Sequence, residues 1–189
     1  MDENNLQDKI KELQTSYYNE NKKNSIFKKR QKYDCAQTVT TNLDILELLK
    51  NTIFSISGSN HIFFHYPTFK TFAYPEIFGT VVNYFIDLCF DIFKSHSCIY
   101  LHINWQGYTV SSHQRYAGLY DLFIAIGKKR QFDLEQVLER LILYNPPNML
   151  EQISTLIKPI IAPGILEKID IISKNDSDFE IKQLFDSLK

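Results

Sequence analysis

The sequence predicts an α/β domain, a largely parallel sheet of about five strands packed with helices. Three observations lead there. Short apolar runs recur at 98–103, 140–145 and 169–172, nearly continuous as in strands covered on both faces. Stretches of helical periodicity, about 10 to 20 residues long, separate the strand-like runs, which implies parallel pairing through right-handed crossovers. The stretch 98–112, CIYLHINWQGYTVSS, sets strand, turn and helix start in direct succession, and the rest of the chain is organised around it.

Taken in order, Leu6, Ile10, Leu13 and Tyr17 form a thin amphipathic stripe near the N-terminus. NENKKNSIFKKRQK follows and carries Lys22, Lys23, Lys28, Lys29, Arg30 and Lys32. This basic contact patch reads either as a solvated helix or flexible arm, or as a contact for phosphate in lipid headgroups or nucleic acid. Residues 1–40 are therefore expected to be a polar, basic helical arm, and residues 41–189 the α/β domain. Thr41 or Asn42 is placed to cap a helix over 43–50. Residues 52–56 alternate as a strand, Gly58-Ser59-Asn60 is a turn, and 61–66 is a second strand stopped by Pro67.

Pro75 suits the first turn of a long helix ending near Lys94, where its missing donor costs nothing. Only Asn83, Asp87 and Asp91 make a polar ridge on it, so most of its surface is expected to be buried. A strand over 98–103 comes next. Ser111 or Ser112 then caps a helix to Lys129, with Tyr116, Leu119, Tyr120, Phe123, Ile124 and Ile126 as its apolar side. A short helix over 132–138 leads to the strand 140–145, ended by Pro146-Pro147. Helices over 148–160 and 163–168, the strand 169–172 and a C-terminal amphipathic helix complete the chain.

Composition bounds the function. With 189 residues, 44% of them hydrophobic and 14% aromatic, the chain can bury a core without disulfides. The 14 Phe and 11 Tyr suggest a thick aromatic core or an apolar pocket. A net charge of -1 exerts no global pull toward nucleic acid or membrane, so a nucleic-acid partner is not expected. Three widely spaced cysteines, a polar N-terminus and the lack of a long apolar stretch fit reduced thiols in a cytoplasmic protein.

The stretch 98–112, with Asn104, Gly107 and Ser111 or Ser112, resembles a strand followed by D-x-x-G-x-x-x-S. ERLILYNPP, ending at Pro147, resembles a strand closing on I-N-A-P. Residues 157–161 and 167–169, IKPII and EKI, resemble K-P-F-L … K-I. These motifs, in this order, resemble the CRAL-TRIO lipid-binding domains, in particular shortened and divergent members, over residues 53–188. The resemblance implies that the sheet floors an apolar pocket and that the segment 158–168 is a gate helix across it. A lipid or other small hydrophobic molecule would lie between them. Ile99, Leu101, Ile103, Tyr120, Phe123, Leu141, Leu143, Lys158, Ile161 and Lys168 are the implied ligand-binding residues. For a headgroup phosphate the resemblance implies Lys168 and an acidic residue; that position falls on Gln136, with Glu135 beside it. The motif aspartate is replaced by Asn104, and the short basic arm stands where the family has a helical N-terminal domain.

Catalytic chemistry is not expected. His61 and His65 in one strand stand about 13 Å apart, too far for a shared ion. The chain has no glycine-rich phosphate loop, no G-x-S-x-G and no H-E-x-x-H. No metal or cofactor is called for. Two functions remain. One is a non-catalytic module holding a hydrophobic ligand, with a membrane surface or a protein as partner of the basic arm. The other is an interaction protein on the same scaffold, its pocket filled by aromatics such as Phe63, Phe64, Tyr100, Tyr120, Phe123 and Tyr144, in a larger assembly such as a viral particle.

Overall fold

A computed structural model of the chain describes residues 3–21, 28–148 and 162–189, together with Thr155. Its centre is a five-stranded sheet in the order β1-β2-β3-β4-β5, formed by Ile53–Ser55, His61–His65, Ile99–Asn104, Leu138–Tyr144 and Ile169–Ile171. β1 and β2 pair antiparallel around a tight turn with positive φ at Ser57 and Gly58. The other pairs are parallel. This is the expected α/β, largely parallel sheet.

Strand alternation gives the sheet two unlike faces. The register aligns Ile62, Leu101, Leu141 and Ile169 in one row and Phe64, Ile103, Leu143 and Ile171 in the next. These side chains share the apolar face. The opposite face carries Phe54, His61, Phe63, His65, Tyr100, His102, Asn104 and Tyr144.

The N-terminal helices are α1 (Glu3–Glu20), α2 (Lys28–Asn42) and α3 (Ile45–Lys50). Leu6 and Ile10 of α1 and Val39 of α2 join the cluster that holds Ile62 and Ile99 of the sheet. The helical stripe is thus real, and its first half is core. Thr41 and Asn42 do not cap α3. Both lie inside α2 and bond back to the carbonyls of Gln37 and Thr38. Asp44 is the cap, its carboxylate accepting from the Leu46 amide at 2.6 Å.

Pro67 does more than stop β2. It sits in the first turn of α4 (Tyr66–Phe72), which buries Tyr66, Phe69 and Phe72. A short 3-10 turn at Pro75–Ile77 leads into α5 (Phe78–Phe93), whose buried positions are Phe78, Val81, Val82, Ile86, Cys89 and Ile92. The polar ridge of α5 docks rather than merely facing water. Arg130 binds Asp87 at 2.6 Å and the Asn83 amide oxygen at 3.3 Å.

α6 (Val110–Lys129) starts earlier than expected because Thr109, not Ser111 or Ser112, takes the Ser112 amide. Ile124 is 52% exposed and so lies off the apolar side. α7 (Leu134–Val137) is capped by Asp133, and β4 begins at Leu138 rather than Arg140. α8 (Pro163–Leu166) and α9 (Ser177–Ser187) flank β5. Of the expected helix over 148–160, all but the cap Asn148 and Thr155 lies outside the described residues.

Candidate functional site

The apolar face gathers most of the expected ligand-binding residues. Ile99, Leu101, Leu141 and Leu143 are buried in the main core cluster, with Ile103 half-buried against it. Leu101 and Leu141 are neighbours in register, as are Ile103 and Leu143. Coverage of this face is uneven. Ile62, at 0%, and Leu101, Leu141 and Leu143 are buried, whereas Phe64, Ile103 and Ile169 are half-buried and edge residue Ile171 is 49% exposed.

Phe123 packs against the same core cluster from α6. Phe123 packs among Phe85 and Phe132, at 5.9 and 6.2 Å between ring centroids. Tyr120 pairs its hydroxyl with that of Tyr108 at 2.9 Å. Burial and the neighbouring phenol raise the Tyr108 hydroxyl far above its ordinary value, so both stay protonated. Trp105 stacks on Tyr108 at 5.1 Å and is a packing residue of the turn. Lys158 and Ile161 lie outside the described residues.

At the start of β4 and β5, Lys168 donates to the carbonyls of Glu135 and Leu138, both at 2.7 Å. The Glu135 side chain lies against Gly164, where a Cβ would run into its carboxylate. Glu135 and Lys168 therefore meet, but through the Glu135 backbone. Gln136 follows Glu135 within α7, and none of the hydrogen bonds found among the described residues joins it to Lys168.

The opposite face carries chemistry that the sequence reading missed. His61 Nδ1 lies 2.9 Å from His102 Nε2, and His102 Nδ1 lies 3.0 Å from the Tyr144 hydroxyl. His61 also stacks on Tyr100 at 4.5 Å. Each link is a diagonal between adjacent parallel strands, so it is set by register and invisible to spacing within one strand. Burial, with the His61 ring beside it, pulls His102 down to about 4. Burial also pushes the Tyr144 hydroxyl up to about 12. The chain is thus a neutral hydrogen-bond relay near pH 7. Among the described residues, no group of three or more His, Cys, Asp or Glu side chains is close enough to hold a metal ion.

The motif asparagines close this face. Asn104 Oδ1 accepts from the Gln106 amide at 3.0 Å and from Asn145 Nδ2 at 3.1 Å. Asn145 ends β4 with φ of 51°, and its amide donates to Ser177 of α9 at 2.7 Å. Phe185 of α9 packs on Phe63 at 5.1 Å. Phe63, Tyr100 and Tyr144 therefore lie behind the sheet and do not fill a space on its apolar face.

Lys28, Lys29, Arg30 and Lys32 stand exposed on α2. Lys29 lies 5.8 Å from the Tyr33 ring centroid. Lys22 and Lys23 lie outside the described residues. Among the described residues, no helix is long and apolar enough to cross a membrane.

A family model described as CRAL/TRIO domain matches residues 62–188, about two thirds of the chain. The match takes in β2 through α9 and so includes every parallel strand. No curated protein and no solved structure matches the chain.

Proposed function

The chain belongs to the CRAL/TRIO domain family, and on that premise we propose that it is a non-catalytic module holding a lipid or other small hydrophobic ligand against its sheet. One observation carries the reading. Half-buried Phe64 and Ile103 and exposed Ile171, with buried Leu143 between them, offer apolar surface on the face opposite the polar relay. An acyl chain laid there gains about 0.8 kcal/mol for each methylene removed from water. The segment 158–168 is its gate, and within it Pro163 opens the short helix α8. The basic residues of α2 bring the loaded module to an anionic membrane surface or a protein partner.

A second reading keeps the scaffold but not the ligand. It is favoured by the burial of Ile99, Leu101, Leu141 and Leu143 within the protein's own core. The module then serves protein contacts in a larger assembly. Native purification followed by solvent extraction and mass spectrometry separates the two. A stoichiometric hydrophobic molecule, lost in an Ile103→Glu variant that still folds, supports the ligand-holding module. A ligand-free chain that also takes up no fluorescent phospholipid overturns it and leaves the interaction protein.

A further inference from the structure

Arg115 is only 9% exposed, and its guanidinium lies 5.4 Å over the Tyr116 ring. This is a guanidinium held largely out of water. A buried guanidinium ordinarily rests against a carboxylate. Among the described residues, none of the ion pairs involves Arg115, Lys32 or Lys70.

More positive charge gathers there instead. The Tyr33 hydroxyl donates to the Arg115 carbonyl at 2.6 Å, which pins α2 and its Lys32 beside α6. Lys70 of α4 sits 5.7 Å from the centroid of Tyr66, a ring 6.2 Å from that of Tyr116. Lys70 Nζ also reaches the turn before α6, 3.0 Å from where a Cβ on Gly107 would stand. Partial burial holds the Lys32 ammonium below its ordinary value, and the charges of Arg115, Lys28 and Lys70 add to the effect. An acid on this side, Glu76, acts on the Tyr33 hydroxyl. Contacts through Tyr33, Tyr66 and Tyr116 thus bring cations of α2, α4 and α6 into one neighbourhood beyond the carboxyl ends of β2 and β3, the edge at which parallel sheets hold ligands.

We propose that Arg115, Lys32 and Lys70 form a binding site for a phosphate monoester or a comparable multiply charged phosphoanion. The planar guanidinium grips two oxygens, the two ammoniums act as point charges, and the tyrosine rings keep the local dielectric low. The site is separate from Lys168, which precedes β5 at the opposite edge of the parallel strands and already donates to two carbonyls. It stands whether or not the apolar face holds a lipid.

The test uses the full chain. Inorganic pyrophosphate is titrated calorimetrically at low salt, and the protein is floated with phosphatidylcholine vesicles with and without phosphatidic acid. Saturable binding to either phosphate probe is expected, weakening as salt rises. Lys32 and Lys70 are exposed, so the double variant Lys32→Gln, Lys70→Gln should melt like the wild type while losing about tenfold in affinity. Capture by phosphatidic acid vesicles alone assigns a lipid headgroup, and pyrophosphate binding assigns a soluble phosphate. Binding to neither probe, or undiminished binding by the double variant, overturns the proposal.

Discussion

Replacing His102 with Asn should flatten the acid side of the stability curve. His102 is 4% exposed, and in the fold its pKa is drawn down to about 4 by burial and by His61. The unfolded chain returns it to about 6.5. As pH falls through that value the unfolded state takes up a proton that the folded state refuses. Stability is therefore lost between about pH 6.5 and pH 4, and the loss levels off below. Over the whole window this one residue costs about 3 kcal/mol, and between about pH 7 and pH 5 about 2 kcal/mol. His61, His65 and His113 are also held below their ordinary values by burial, so they act in the same direction. They remain in both proteins, and the difference in slope isolates His102. Urea unfolding followed by circular dichroism at the two pH values measures it. At neutral pH the variant should already be about 1 to 2 kcal/mol weaker, because His61 and Tyr144 each lose a partner. Parallel curves for wild type and variant would refute the reasoning, since they would mean that His102 is protonated as readily folded as unfolded.

Three further outcomes follow from the same contacts. Gly164→Ala should cost no more than about 0.5 kcal/mol, because its methyl has only to push aside the flexible end of the Glu135 side chain, and in a Glu135→Ala background the same change should be stabilising, as a thermal-melt double-mutant cycle will show. Asn145→Gly keeps the positive φ but loses the bond to Asn104, so it should cost about 1 kcal/mol, whereas Asn145→Ala should cost about 1 kcal/mol more by adding backbone strain. In native thiol labelling Cys98, which is half-buried, should react first. Cys35 and Cys89 should lag, both being buried and the Cys89 thiol being pushed up to about 12.

The parallel strands were legible because each is a short apolar run ended by a turn residue or proline, a pattern that survives any tertiary context. The long helices were legible for a similar reason, in that α5 carries a wide apolar stripe and a narrow polar ridge. Caps were less so. Thr41, Asn42, Ser111 and Ser112 all have capping side chains, and only tertiary placement chose Asp44 and Thr109 instead. α4 was hidden because Pro67 reads equally as the end of a strand and the beginning of a helix. At the candidate site, the sharing of one face by Ile99, Leu101 and Ile103 follows from the strand period of two. The His61–His102–Tyr144 relay and the convergence of Lys32, Lys70 and Arg115 do not, because each depends on register or helix packing between residues far apart in sequence.

The polar relay and the apolar row constrain one another through that register. Side chains alternate faces, so a one-residue slip of β3 against β2 and β4 would turn His102 and Asn104 into the core and Leu101 and Ile103 out of it. The slip would break the bonds of His102 to both His61 and Tyr144, and that of Asn104 to Asn145. It would also bury an imidazole and an amide among Ile62, Leu141 and Leu143. Each orphaned polar group costs about 1 to 3 kcal/mol. A similar slip in a sheet with two apolar faces would cost little, so the histidines and asparagines behind the sheet hold the hydrophobic row in front of it to a single alignment.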